Sequence, residues 1–135
     1  MSRFESDSQS ALTAVAVVDD DGRVLRSVKN LLESAGFLVC VFPSAQELLD
    51  SGILPTVACV VSDIAMPGLD GFELEALVRQ QRPAMPVIFI TAHDESAWAG
   101  RALPAHSTIL KKPFNGIDFL ALVRAASTAN STGNR

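Results

Sequence analysis

The chain has 135 residues, which suits one domain of roughly 100–200 residues and argues against two. Hydrophobic residues make up 48% and charged residues 19%, so a core is affordable and disorder throughout is excluded. With 11 Lys and Arg against 15 Asp and Glu, the net charge of -4 disfavours a nucleic-acid or anionic-membrane surface as the main task, and fits cations or basic partners better.

The polar, acidic start from Met1 to Ser10 does not resemble a signal peptide, and no apolar run approaches the roughly 18 residues of a membrane span, so a cytoplasmic protein is expected. Residues 1–13 read as a frayed N-terminus. The first apolar run, Ala14–Val18, is continuous rather than alternating, as a strand covered on both faces requires. Val24, Val28, Leu31 and Ala35 then step at helical spacing, with Gly36 as the stop. A second strand is predicted at Leu38–Phe42, and Ser44 followed by Glu47 has the pattern of a capping box opening a second helix.

The third run, Val57–Val61, leads to Asp70-Gly71-Phe72-Glu73, a second capping-box pattern and a third helix. Strands at Val87–Ile90 and Thr108–Leu110 flank a weaker helix around Glu95–Leu103, ended by Pro104 and containing Trp98 as a packing residue. A last helix is expected from Gly116 to Ala126 after Asn115, with 127–135 as a polar tail or linker start. Five βα units with short connections predict a three-layer α/β domain over residues 14–126 with a parallel sheet. Cys40 and Cys59 sit inside the second and third runs without a CxxC pair, and read as reduced, buried thiols.

Ligands of an open α/β sheet collect outside the carboxyl ends of its strands. Here those ends offer Asp19, Asp20 and Asp21; Ser62 and Asp63; Thr91-Ala92-His93; and Lys111-Lys112-Pro113. Neither GxxxxGK[ST] nor GxGxxG is present, which argues against a nucleotide site. Two carboxylates about 4 Å apart repel by about 4 kcal/mol at an effective dielectric near 20. Asp19, Asp20 and Asp63 therefore call for a hard divalent cation, Mg²⁺ above all with Mn²⁺ as a substitute. The bland reading of the acidic triplet is a solvated loop capping the first helix, and it suits Asp21 best. His93 and His106 lack a partner at ligand spacing and read as surface residues.

The stretches Val17–Asp21, Val60–Gly71, Ile88–His93 and Leu110–Phe114, in this order at strand ends, resemble the receiver domain of bacterial response regulators, the CheY-like family, nearest to the FixJ/NarL sort. The resemblance implies a doubly wound five-stranded sheet of order 2-1-3-4-5 and a phosphorelay switch rather than an enzyme acting on an external substrate. It implies that Asp63 takes the phosphoryl group, that Asp20, Asp63 and the Ala65 carbonyl ligate the metal, and that Asp19 acts mostly through metal-bound water. It also implies that Thr91 and Lys112 engage the phosphate and that His93 and Ala65 tune its lifetime. Implied partners are a histidine kinase or phosphotransfer protein, and a downstream protein or C-terminal output domain outside this chain. A phosphorylation-dependent homodimer is one expected readout, with no direct nucleic-acid or membrane contact.

Two departures stand out. Thr91 and Lys112 are separated by a segment carrying Leu103-Pro104-Ala105-His106 in place of the usual Ala-Gly turn, and the aromatic switch position is Ile109. A rival reading takes Asp19-Asp20-Asp21-Gly22 as the start of a haloacid-dehalogenase-like phosphatase, with Asp19 as nucleophile and Asp21 as acid/base; Arg23 stands where that motif wants Thr. A second rival is a receiver-shaped interaction module that is never phosphorylated. Lys111 reads as the solvated neighbour of Lys112, and the two could exchange roles.

Overall fold

In the computed structural model, which describes residues 13–91 and 108–133, five parallel strands form one sheet of order β2-β1-β3-β4-β5. They are β1 (Ala14–Val18), β2 (Leu38–Phe42), β3 (Cys59–Asp63), β4 (Val87–Thr91) and β5 (Thr108–Lys111). The central strands β1, β3 and β4 are almost wholly buried, as their unbroken apolar runs require. β2 and β5 are edges and keep partial exposure, with Leu38 and Val41 open to solvent.

Among the described residues four α-helices accompany the strands: α1 (Gly22–Ser34), α2 (Ala45–Ser51), α3 (Gly71–Gln81) and α4 (Gly116–Gly133). Strand alternation divides the core in two. On one face Ala16, Val18, Val60 and Phe89 meet Leu48 of α2 and Phe72, Leu74 and Val78 of α3. On the other, Val15, Val17, Val61 and Ile88 meet Leu25, Val28 and Leu32 of α1 and Phe119 and Val123 of α4. Each such side chain fully withdrawn from water contributes about 1.5–3 kcal/mol, so the two layers hold the sheet flat against its helices.

The helix starts follow the sequence closely. Asp70 and Glu73 make the full reciprocal capping box, each side chain accepting from the other's backbone N–H at 2.8 Å. At Ser44 the hydroxyl accepts from the Glu47 N–H at 3.2 Å, and Asp21 caps α1 by accepting from the Arg23 N–H at 2.9 Å.

Several boundaries differ from the sequence reading. β3 starts at Cys59 instead of Val57, because Leu54–Thr56 forms a 3-10 turn and Arg82 Nη1 draws the Leu54 and Val57 carbonyls (2.8 and 3.3 Å) out of the ladder. At its other end the strand runs on through Ser62 and Asp63, which pair with Val18 of β1 and Ile90 of β4. β4 and β5 likewise extend one residue further, to Thr91 and Lys111. α4 continues past Ala126 to Gly133, since adding residues to a nucleated helix is far easier than starting one. Cys59 is buried, but Cys40 is only half-buried because β2 is an edge. The expected helix around Glu95–Leu103, Trp98, His93, His106 and the N-terminal residues 1–12 lie outside the described residues. Among the described residues no helix is long and apolar enough to cross a membrane.

Candidate functional site

The order of the sheet reverses beside β1: the chain passes from β1 to β2 on one side and returns to β3 on the other. That reversal opens a crevice at the carboxyl ends of β1 and β3, and the acidic residues collect there. Asp19 follows β1 directly, its N–H donating to the Phe42 carbonyl at 3.2 Å, and is fully buried. Asp20 is exposed, and Asp63, the last residue of β3, is 7% exposed. One carboxylate oxygen from each of the three lies within 4.8 Å of the others.

Lys112 reaches this group from the end of β5. Its Nζ lies 3.1 Å from Asp19 Oδ2, while Asp19 Oδ1 accepts from the Asp21 N–H at 2.9 Å. The Lys112 N–H donates to the Thr91 carbonyl at 2.7 Å, so the lysine and the threonine are joined through their backbones. Thr91 itself is 1% exposed at the end of β4. Lys111 is exposed, as strand alternation requires of the neighbour of an inward residue.

Asp63 has an environment unlike that of a surface carboxylate. Its carboxyl is pushed up from 3.8 to about 6, chiefly by burial and then by the negative charge of Asp19; Lys112 and the Ile64 N–H, which donates to Oδ1 at 2.8 Å, pull the other way. Asp21 moves in the opposite direction, held low mainly by the Arg23 backbone N–H. A donor set of three carboxylates facing one another, only partly offset by one ammonium, fits a hard divalent cation that prefers oxygen.

Ala65 is exposed in the loop that joins β3 to α3, two residues after Asp63. Ile109 pairs in register with Phe89 and packs against the α2 and α3 side of the core. Beside the cluster runs a groove of about 510 Å³ lined by Asp21, Arg23, Val24, Ser27, Val28, Lys112, Pro113 and Phe114. Two features escaped the sequence reading. The pairing of Lys112 with Asp19 had no sequence signal, because the two are far apart in the chain. The close approach of Gly71 to the end of β3 did have one, the Gly directly after a helix cap.

Asp19, the nucleophile of the phosphatase reading, is fully buried, its Oδ1 accepting from the Asp21 N–H and its Oδ2 from Lys112 Nζ.

Known proteins share this sequence pattern and fold. Residues 15–124 match the family model described as the response regulator receiver domain. The transcriptional regulatory protein FixJ of Bradyrhizobium diazoefficiens is 37% identical over 113 residues, covering 83% of this chain and 55% of that protein. The chain thus spans about half the length of the curated relatives it matches first. A response regulator receiver domain protein of Clostridium thermocellum superposes with a TM-score of 0.80 at 26% identity, covering 89% of this chain and 98% of the other. The chemotaxis protein CheY4 of Vibrio cholerae gives a TM-score of 0.73 at 28% identity over 85% of this chain and 98% of its own. With its strand order, its acidic crevice and its relatives all in accord, the chain belongs to the response regulator receiver domains of two-component systems.

Proposed function

We propose that this receiver accepts a phosphoryl group on Asp63 in a reaction that depends on Mg²⁺ or Mn²⁺. The observation that supports this best is the placement of Asp63: it ends the central strand β3, in a crevice shared with Asp19 and Asp20. The Ile64 N–H holds Oδ1, so Oδ2 is the oxygen that attacks phosphorus. The new Oδ2–P bond forms as the bond from phosphorus to the donor's nitrogen or oxygen breaks. Positioning and charge neutralisation supply most of the help such a transfer needs.

Asp20, Asp63 and the Ala65 carbonyl are the residues that would hold the cation, which supplies positive charge to the transferred oxygens. Asp19 keeps Lys112 at the edge of the crevice, within reach of an added phosphate. Thr91, tied to Lys112 through its carbonyl, hydrogen-bonds that phosphate by its hydroxyl, and His93 tunes its lifetime. The added charge and acceptor oxygens then shift the β4 to α4 surface, where Ile109 takes the aromatic switch position. A histidine kinase or phosphotransfer protein writes the signal in the cytoplasm, and an output domain, a separate protein or a second copy reads it. No catalysis beyond the protein's own phosphorylation and hydrolysis is assigned.

Intact-mass spectrometry after incubation with acetyl phosphate and Mg²⁺ tests the reading. A single phosphoryl addition, lost in Asp63→Asn, is expected; no addition with any donor would favour the inert interaction module, and a phosphopeptide on Asp19 would revive the phosphatase.

A further inference from the structure

The first turn of α3 sits directly on the end of β3, closer than any side chain would permit. At Gly71 an added Cβ would collide with the backbone carbonyl oxygen of Asp63, and would lie 3.0 Å from Ile64 Cα and 3.1 Å from Phe89 Cε1. The Gly71 N–H donates to the Ile64 carbonyl at 2.8 Å. The Ile64 N–H in turn holds Asp63 Oδ1 at 2.8 Å. A chain of short backbone contacts therefore runs from the helix start to the carboxylate.

The same contacts close the loop. Residues 64–71 leave the strand and return to it, so that the Ile64 carbonyl and the Gly71 N–H meet; Ala65 lies inside this ring, and Gly68 turns it with a φ of 76°. The helix side of the ring is fixed by the reciprocal Asp70–Glu73 cap, and the strand side by the parallel pairing of Asp63 with Ile90. Phe72 and Phe89, edge to face with ring centroids 5.0 Å apart, pack beneath it. Little can yield if the helix start is pushed outward except the ring itself, which carries the acceptor's own neighbours.

We infer that Gly71 is a positioning residue for the phosphoacceptor: the absence of its side chain lets α3 clamp the loop that orients the Asp63 carboxylate and the Ala65 carbonyl. The inference rests on the proposed role of Asp63 and extends it to a residue that touches neither phosphate nor metal. A Cβ at Gly71 moves the Asp63 and Ile64 backbone by several tenths of an ångström or more, and a cation held by several fixed oxygens is sensitive to displacements of that size.

The test is Gly71→Ala, with Gly52→Ala as a control. Gly52 has a φ of 75° and open space around it, so the control strains the backbone away from the site. Mn²⁺ affinity is read by electron paramagnetic resonance, phosphorylation by acetyl phosphate is followed against Mg²⁺ concentration, and melting temperature is measured alongside. Expected for Gly71→Ala are Mn²⁺ binding weakened about tenfold or more and a higher Mg²⁺ requirement at temperatures where the protein is folded. Gly52→Ala should lose melting temperature while its Mn²⁺ affinity stays within about twofold of wild type. Equal metal affinity in folded Gly71→Ala and wild type would overturn the inference and leave the role of Asp63 intact. A wild type that neither binds Mn²⁺ nor takes a phosphoryl group would overturn both. Should Gly71→Ala not fold, the wild type carries the same claim: on Mg²⁺ titration the amide signals of Gly71 and Ile64 should shift along one isotherm, and a Gly71 signal that stays still would refute it.

Discussion

Lys112 Nζ stands 3.1 Å from Oδ2 of Asp19, a carboxylate that no solvent reaches. The ammonium keeps 19% of its side-chain surface open to water while its partner keeps none. The two residues are thus unequal in what they lose when separated.

Removing Lys112 strands the Asp19 charge in the interior. Lys112→Met is expected to destabilise the metal-free protein by about 3 kcal/mol, in the range found when one member of a buried pair is deleted. Lys112→Met combined with Asp19→Asn should recover most of that loss, because the fully buried charge that lost its partner is then gone, Asp63 and Asp20 being less enclosed. Urea unfolding of the double-mutant cycle measures the coupling; additive losses would show that the pair does not interact.

Asp63 makes stability depend on pH with a sign opposite to that of an ion-paired carboxylate. Its carboxyl in the folded protein titrates near 6, above its ordinary 3.8, so the folded state binds this proton more tightly than the unfolded chain does. The contribution is fully present below 3.8 and is lost as pH rises through about 6. In metal-free buffer, Asp63→Asn should therefore melt higher than wild type at neutral pH, with the difference shrinking on acidification. Calorimetry of both proteins across that window checks it; a wild type that gains on the variant as pH rises would contradict the assignment.

The helix that follows Asp63 depends on its cap. Asp70→Ala removes the oxygen that accepts from the Glu73 N–H at 2.8 Å and should cost about 1 kcal/mol. Asp70→Ser, which retains an acceptor, should restore most of it. Chemical denaturation distinguishes the two, and an Asp70→Ala protein as stable as wild type would mean that the cap is not holding α3.

Ser127 offers a gain instead. It is 4% exposed on α4, and its hydroxyl has no hydrogen-bond partner among the described residues. Ser127→Ala removes a buried unsatisfied group and improves helix propensity, so stability should rise by about 1 kcal/mol. A fall in melting temperature would show that the hydroxyl is satisfied in solution.

The fold was legible because the strands advertise their burial. Val60 and Val61, or Ile88 through Ile90, form unbroken apolar runs that suit only a sheet covered on both faces, and the strand ends then gather Asp19, Asp63, Thr91 and Lys112. Asp70 and Glu73 marked the start of α3 to the residue. The beginning of β3 was hidden, because Val57 is as apolar as a strand residue and what keeps it out of the strand is the Leu54–Thr56 turn it closes and the reach of Arg82 from the end of α3. The end of α4 was hidden for a related reason: small polar residues after Ala126 look like a tail, and helix continuation is a cooperative property of the residues before them. Contacts such as Lys112 with Asp19 depend on side-chain reach across the sheet, which spacing along the chain does not encode.

The twin lysines at the end of β5 acquire their difference from parity alone. β5 is an edge strand anchored by one ladder, in which Thr91 stands opposite Lys111 and Phe89 opposite Ile109. A slip of a single residue would exchange the two lysines, presenting Lys111 to Asp19 with the chemistry of the crevice unaltered. The same slip would turn Leu110 to the face that Ile109 now fills and send Ile109 to the opposite layer. The ammonium is therefore duplicated against a register error whereas the apolar packing beneath it is not, and an error of that kind would keep the charge of the crevice while breaking the layer below.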